Sequence, residues 1–92
     1  MIIPQQIVYS AATAGAQLVN RRGALHRVVL TAGSANATAT FYDNTSATGS
    51  PILTVGAVIG TSAWPDLNGV EFFTGLYAVI TGTGAQVNVY VE

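Results

Sequence analysis

Along this chain apolar residues recur at every second position in short runs, and no stretch sustains a 3.6-residue apolar period over three turns. Gly, Asn, Asp and Pro separate the runs, the signature of short strands joined by turns. The clearest run is the last. Ala85, Val87, Val89 and Val91 fall on one side, and Gln86, Asn88, Tyr90 and Glu92 on the other. That alternation suits a strand with one buried face. Residues 76–81 read as a strand apolar on both faces, and Gly82-Thr83-Gly84 predicts a tight hairpin from it to the last strand. Residues 70–73 form a short strand ended by Thr74-Gly75, and 64–69 is a loop by composition. Residues 51–58 predict a strand kinked at Gly56. Residues 37–43 predict another, with Ala39 and Phe41 inward and Thr38, Thr40 and Tyr42 outward, followed by a turn at 44–49. Residues 24–31 are the most strongly apolar and are expected at the centre of a sheet, with a turn at 33–36. Residues 7–11 and 16–20 predict a first strand pair joined by Thr13-Ala14-Gly15. Eight or nine short strands spaced about ten residues apart define an all-β chain. The expected architecture is a small antiparallel β-sandwich or jelly roll, with a small closed barrel as the alternative. Residues 1–6 read as an N-terminal arm and 7–92 as one β-sandwich domain, with no internal repeat and no linker.

Size bears on what such a fold needs. A chain of 92 residues makes one domain with a folded surface of roughly 5,000 Å², burying about 60–65% of what its unfolded form exposes. Cores this thin commonly rely on disulfides, metals or oligomerisation. There is no cysteine, and the single histidine, His26, cannot build a zinc site alone, so oligomerisation is the remaining remedy. Charge points the same way. Only 8% of the residues are charged and 50% are hydrophobic, whereas about 25% are charged in an ordinary soluble domain. A surface so poor in charge implies cover by neighbouring molecules. The bland alternative is a monomer kept soluble by its 11 threonines and other small polar residues. Arg21, Arg22 and Arg27 are the only cations besides His26, and the net charge is −1, which argues against a nucleic-acid partner. Met1-Ile2-Ile3-Pro4 has no basic region and no long apolar core, so no secretory signal is expected. The longest nearly apolar run, 52–60, falls well short of the ~20 residues that span a bilayer, so no membrane partner is expected. The chain is expected to be made in a cytoplasm and to stay soluble until assembled.

Candidate chemistry is sparse. His26 with a serine and Asp43 or Asp66 would make a triad, but no Gly-x-Ser-x-Gly elbow accompanies them. Among the acids Asp43, Asp66, Glu71 and Glu92, the two aspartates sit in turn-forming company, where Asp caps backbone amides. Asp66-Leu67-Asn68-Gly69 resembles a fragment of a calcium loop without its later acidic ligand. Gly82-Thr83-Gly84 lacks the third glycine of a dinucleotide fingerprint. Asn36-Ala37-Thr38 and Asn44-Thr45-Ser46 match glycosylation acceptors; with no secretory signal expected, both are read as accidents of a Thr/Asn-rich chain. The expectation is a chain that is not an enzyme, with no catalytic residue, cofactor or metal. What remains suits a partner interface. Met1, Ile2 and Ile3 read as an apolar arm stiffened by Pro4, expected to pair with a neighbouring subunit, the alternative being that it lies disordered. Trp64 either anchors an interface or plugs the end of the sandwich. Arg21 and Arg22 either meet an acidic partner or form a solvated turn.

Gly23-Ala24-Leu25-His26-Arg27-Val28-Val29-Leu30, then Phe41-Tyr42-Asp43-Asn44-Thr45 with Gly49, then Phe73-Thr74-Gly75-Leu76 and the valine-rich ending form a further pattern. Together these resemble the small β-sandwich structural proteins of tailed-bacteriophage virions, from about residue 20 onward. The resemblance implies a head decoration, or cement, protein on the outer capsid, bound to the major capsid protein, commonly as a homotrimer. It supplies no catalytic residues. A tail or fibre module gripping host glycan through Trp64, Tyr9, Tyr42, Tyr77 and Tyr90 is the alternative, and a tail or neck subunit is a third.

Overall fold

The computed structural model describes residues 5–10, 16–65, 67 and 69–91. They form nine strands: β1 (Gln5–Ser10), β2 (Ala16–Val19), β3 (Gly23–Thr31), β4 (Ala37–Tyr42), β5 (Leu53–Ala57), β6 (Ser62–Ala63), β7 (Val70–Phe72), β8 (Leu76–Thr81) and β9 (Gln86–Val91). All pairings are antiparallel. One sheet runs β1-β9-β3, with β6 and β7 both on the far edge of β3; the other runs β2-β8-β4-β5. The all-β expectation and the two-sheet sandwich both hold, and the described strands form two open sheets, not a closed barrel. No helix forms among the described residues, so none is long and apolar enough to cross a membrane.

Period two explains the faces. β4 alternates buried Ala37, Ala39 and Phe41 with more exposed Thr38, Thr40 and Tyr42, and β9 buries Val87, Val89 and Val91. The inner faces meet in one core. The five-stranded sheet contributes Leu25, Val28, Leu30 and Phe72 beside the β9 valines. The four-stranded sheet contributes Phe41, Val55, Leu76 and Ile80, separated by Ala37, Ala39, Ala57 and Ala78.

β3 departs from strict alternation. His26 and Arg27 are both exposed between buried Leu25 and Val28, and the register against β9 shifts between Leu25 and Arg27. His26 is therefore the extra residue of a β-bulge, which restores Val28 and Leu30 to the core face.

Three expectations are corrected. Gly82-Thr83-Gly84 does not close a hairpin, because β8 and β9 lie in opposite sheets and the turn carries the chain across the sandwich. The first two strands likewise do not pair: β1 binds β9, and β2 binds β8. In both cases a small-residue turn fits a crossing as well as a hairpin, and only the partner strand decides between them. Gly56 produces no kink, since it stays in register opposite Thr38. β6 falls between the strand expected at 51–58 and the loop expected at 64–69, and adds two residues against Leu30 and Thr31.

Close backbone packing fixes one end of the sandwich. A Cβ on Gly33 would stand 2.6 Å from the Thr83 carbonyl oxygen, and the Ser34 amide donates to that same oxygen at 3.0 Å. The β3–β4 and β8–β9 crossings thus interlock where only glycine fits.

Candidate functional site: an uncharged face and corner

The distribution of charge over this frame is uneven. Of the seven charged residues, three basic and four acidic, Asp66 and Glu92 lie outside the described residues. Four of the other five sit toward one end: Arg21 and Arg22 are in the β2–β3 turn, Asp43 follows β4, and Glu71 pairs with Ala24. The fifth, Arg27, lies midway along β3 opposite Tyr90. The opposite end, made by the β3–β4, β5–β6 and β8–β9 crossings, carries no charge among the described residues. Nor does the outer face of the four-stranded sheet. Its cross-strand rows are Gln17, Tyr77 and Tyr42; Val79, Thr40 and Thr54; and Thr81, Thr38 and Gly56.

Large apolar side chains are exposed beside this uncharged surface. Val58 is 63% exposed and Ile59 53%, both in the crossing that leaves β5, and Trp64, just after β6, is 61% exposed. Hydrogen bonds tie the loop: the Ile59 amide donates to Asn36 Oδ1 at 2.8 Å, and the Thr61 amide and hydroxyl both donate to the Val58 carbonyl. Val58 and Ile59 are therefore displayed on an ordered turn. Trp64 does not plug the sandwich; the core closes without it around Phe41 and Phe72. Pro65 follows it and cannot donate to the β3 edge, which accounts for the interruption between β6 and β7.

Of the residues expected at an interface, the described ones, Arg21, Arg22 and Trp64, are not brought together. Met1, Ile2 and Ile3 lie outside the described residues. Arg21 and Arg22 are exposed at the charged end, some 20 Å along β3 from the level of Trp64 at the rise of a strand. Arg22 instead stacks over Phe73, with its guanidinium carbon 4.9 Å from the ring centre. It also lines a depression of about 170 Å³ with Gly23, Ala24 and Glu71, smaller than the ~300–1,000 Å³ of small-molecule pockets. The aromatics of the glycan alternative are dispersed. Tyr42 and Tyr77 oppose each other on the four-stranded sheet. Tyr90 faces Arg27 at 5.9 Å on the other sheet. Trp64 occupies an edge, and the side chain of Tyr9 lies outside the described residues.

The candidate chemical groups take structural positions. Asp43 Oδ1 accepts hydrogen bonds from the amides of Phe73 (2.9 Å), Thr74 (2.8 Å) and Gly75 (3.4 Å). The Thr74 amide is the main cause holding its pKa below the ordinary 3.8; partial burial opposes this, and the Phe73 and Gly75 amides reinforce it. The capping role expected of this aspartate is thus realised across 30 residues of chain, from the β4–β5 loop to the β7–β8 crossing. His26 is exposed at the β3 bulge. Glu71 is exposed on β7. Asn44 is engaged within its own loop, donating to Thr48 Oγ1 at 2.8 Å. The calcium-like segment includes Asp66 and Asn68, outside the described residues; among the described residues no three potential metal ligands cluster.

Sequence reading missed Val58, Ile59 and Phe73 as exposed apolar groups. For Val58 and Ile59 the available signal was the absence of any charge from residue 44 to 65, between Asp43 and Asp66; Phe73 had none. Fold and surface together define a two-sheet antiparallel β-sandwich with a polarised charge distribution. Compared with family models, curated proteins and solved structures, the chain matches none.

Proposed function

We propose that this chain is a virion decoration protein, which seats its uncharged surface against the capsid and neighbouring subunits and performs no turnover. One observation carries the proposal: among the described residues, one end and the outer face of the four-stranded sheet hold no ionised side chain, and Val58, Ile59 and Trp64 are exposed beside them. Surfaces of this kind are costly to leave in water and favour protein contact. Two further points support it. With β6 and β7 taken as halves of one interrupted strand, the two strand orders read as a jelly roll, an architecture frequent in capsid proteins and also found in lectins and cupins. The resemblance to phage structural proteins runs through the β2–β3 turn, β3, β4 and the β7–β8 crossing, which includes the Asp43 clamp.

The mechanism is mechanical. A copy that binds assembled capsid subunits but not dispersed ones shifts the equilibrium toward the shell by mass action. Quantitative mass spectrometry of purified particles from the phage encoding this chain tests the reading. Lattice-like abundance, comparable to the major capsid protein, is expected. Absence, or a handful of copies per particle, overturns it.

A further inference from the structure

We propose that β5 is a self-pairing edge, through which two copies of this chain join antiparallel about Val55 to continue the four-stranded sheet across a two-fold axis. β5 pairs only with β4 among the described residues, leaving its outer backbone groups without a ladder. Natural edges are blunted by charges, prolines, bulges or interruption. The β2 edge carries a register shift between Gln17 and Val19, and the β6–β7 edge is broken at Trp64 and Pro65. β5 has no such device: its register against β4 is regular from Leu53 to Ala57.

The occupant follows from the residues. In a two-fold pair each side chain meets the same strand in reverse, so any charge on or near the edge would face its own copy. From residue 44 to 65 there is none. Centred on Val55, the pairing sets Leu53 opposite Ala57 and Thr54 opposite Gly56, large against small at each step. Leu53 is half-buried at present, and a second strand would cover it. Gly56 has open space, with only the Ala37 carbonyl oxygen near a Cβ position, at 3.9 Å. A stable interface takes about 600 Å² or more from each partner, roughly an eighth of the 5027 Å² surface. Strand pairing alone falls short of that, and the adjoining Val58, Ile59 and Trp64 supply apolar area at the same corner, Trp64 on the order of 150 Å². The contact builds dimers or even-numbered assemblies, not the trimer that the phage resemblance implies.

The inference does not rest on the virion reading, and its test uses the full chain alone. Sedimentation equilibrium from low micromolar to millimolar concentration is expected to show a transition from 9.5 kDa to twice that mass. Gly56→Lys, which the open space tolerates in the monomer, is expected to weaken the association at least about tenfold by placing two added charges beside the axis. Its thermal unfolding at low concentration should match the parent. Hydrogen exchange of the unmutated chain gives an independent readout: the amides of β5 should gain protection as concentration rises, and those of β2 should not. A monomer at every concentration, a trimer as the only assembly, or a dimer indifferent to Gly56→Lys and without added β5 protection would each overturn the proposal.

Discussion

Replacing Asp43 by alanine removes one oxygen on which three backbone amides converge. Those amides belong to the crossing between β7 and β8, where the chain passes from one sheet to the other. The Phe73 and Thr74 amides lie in exposed surroundings and regain water when the carboxylate goes, whereas the Gly75 amide is partly buried and recovers less. Loss of a capping carboxylate typically costs ~1 kcal/mol, and a hydrogen bond to a charged acceptor contributes about 1.5–3 kcal/mol. With most of the first two bonds recovered from water, Asp43→Ala should destabilise by about 2 kcal/mol, lowering Tm by about 10 °C in a domain of this size. Asp43→Asn keeps the acceptor and loses the charge, so about 1 kcal/mol is expected. The two variants also separate charge from geometry. The folded-state pKa is depressed, so between it and the unfolded value of 3.8 the unfolded chain binds more protons and stability rises with pH. The advantage of the parent over Asp43→Asn is therefore fully present above about pH 5 and is lost as pH falls below 3.8 through the folded value. Urea unfolding of the parent and both variants from pH 2.5 to 7 measures this directly. A parent–Asn difference that stays constant over the whole range, or an alanine variant within 0.5 kcal/mol of the parent, would refute the clamp.

Gly33→Ala drives a methyl into the Thr83 carbonyl at 2.6 Å and Gly84 at 2.7 Å, and should cost about 2 kcal/mol or more in urea unfolding because backbone, not a side-chain tip, must move. Phe41→Ala empties one of the largest fully buried sites; a loss of about 3–5 kcal/mol is expected, visible as a shift in the unfolding midpoint or as outright failure to fold. Trp64→Ser should leave the stability of the monomer within about 0.5 kcal/mol, since the side chain is 61% exposed; a larger loss in dilute solution would show that the tryptophan supports the core.

Much of the fold was legible because side-chain alternation reports faces. In β4 and β9 the pattern of threonines, tyrosines, alanines and valines gives the inward set residue by residue. Partners were not legible, because alternation is a local property and pairing is not. The Gly82-Thr83-Gly84 segment has the composition of a hairpin turn, yet Gly82 packs against the Asn36 carbonyl, and that contact belongs to a crossing between sheets. The β3 bulge did leave a trace in the sequence: Leu25-His26-Arg27-Val28 sets two polar residues in succession where period two allows one. For the candidate surface, composition gave the scarcity of charge but not its segregation. Arg22 and Glu71 are far apart in sequence and reach one end only because β7 pairs with the first residues of β3. Trp64 could not be placed because its surroundings depend on the two-residue strand β6, too short to carry a periodic signal.

The composition of the core bears on why assembly would matter to such a chain. The four-stranded sheet faces inward with Ala37, Ala39, Ala57 and Ala78 at positions where the opposite sheet uses valine and leucine. Each methylene not buried withholds about 0.8 kcal/mol. Four alanines in place of valines therefore withhold roughly 6 kcal/mol, comparable to the whole ~5–15 kcal/mol stability of a typical domain. The small residues let the sheets pack thinly, and the molecule is only 18 Å across its shortest dimension, but they leave the isolated domain little margin. The apolar area missing inside is present outside, at Val58, Ile59 and Trp64. If that area is covered in an assembly, the folded state gains stability with concentration, since association acts on folded chains and not on unfolded ones. Tm measured by scanning calorimetry should therefore rise across a hundredfold increase in protein concentration. A Tm indifferent to concentration would mean that the thin core suffices alone and that the exposed corner contributes nothing to keeping the chain folded.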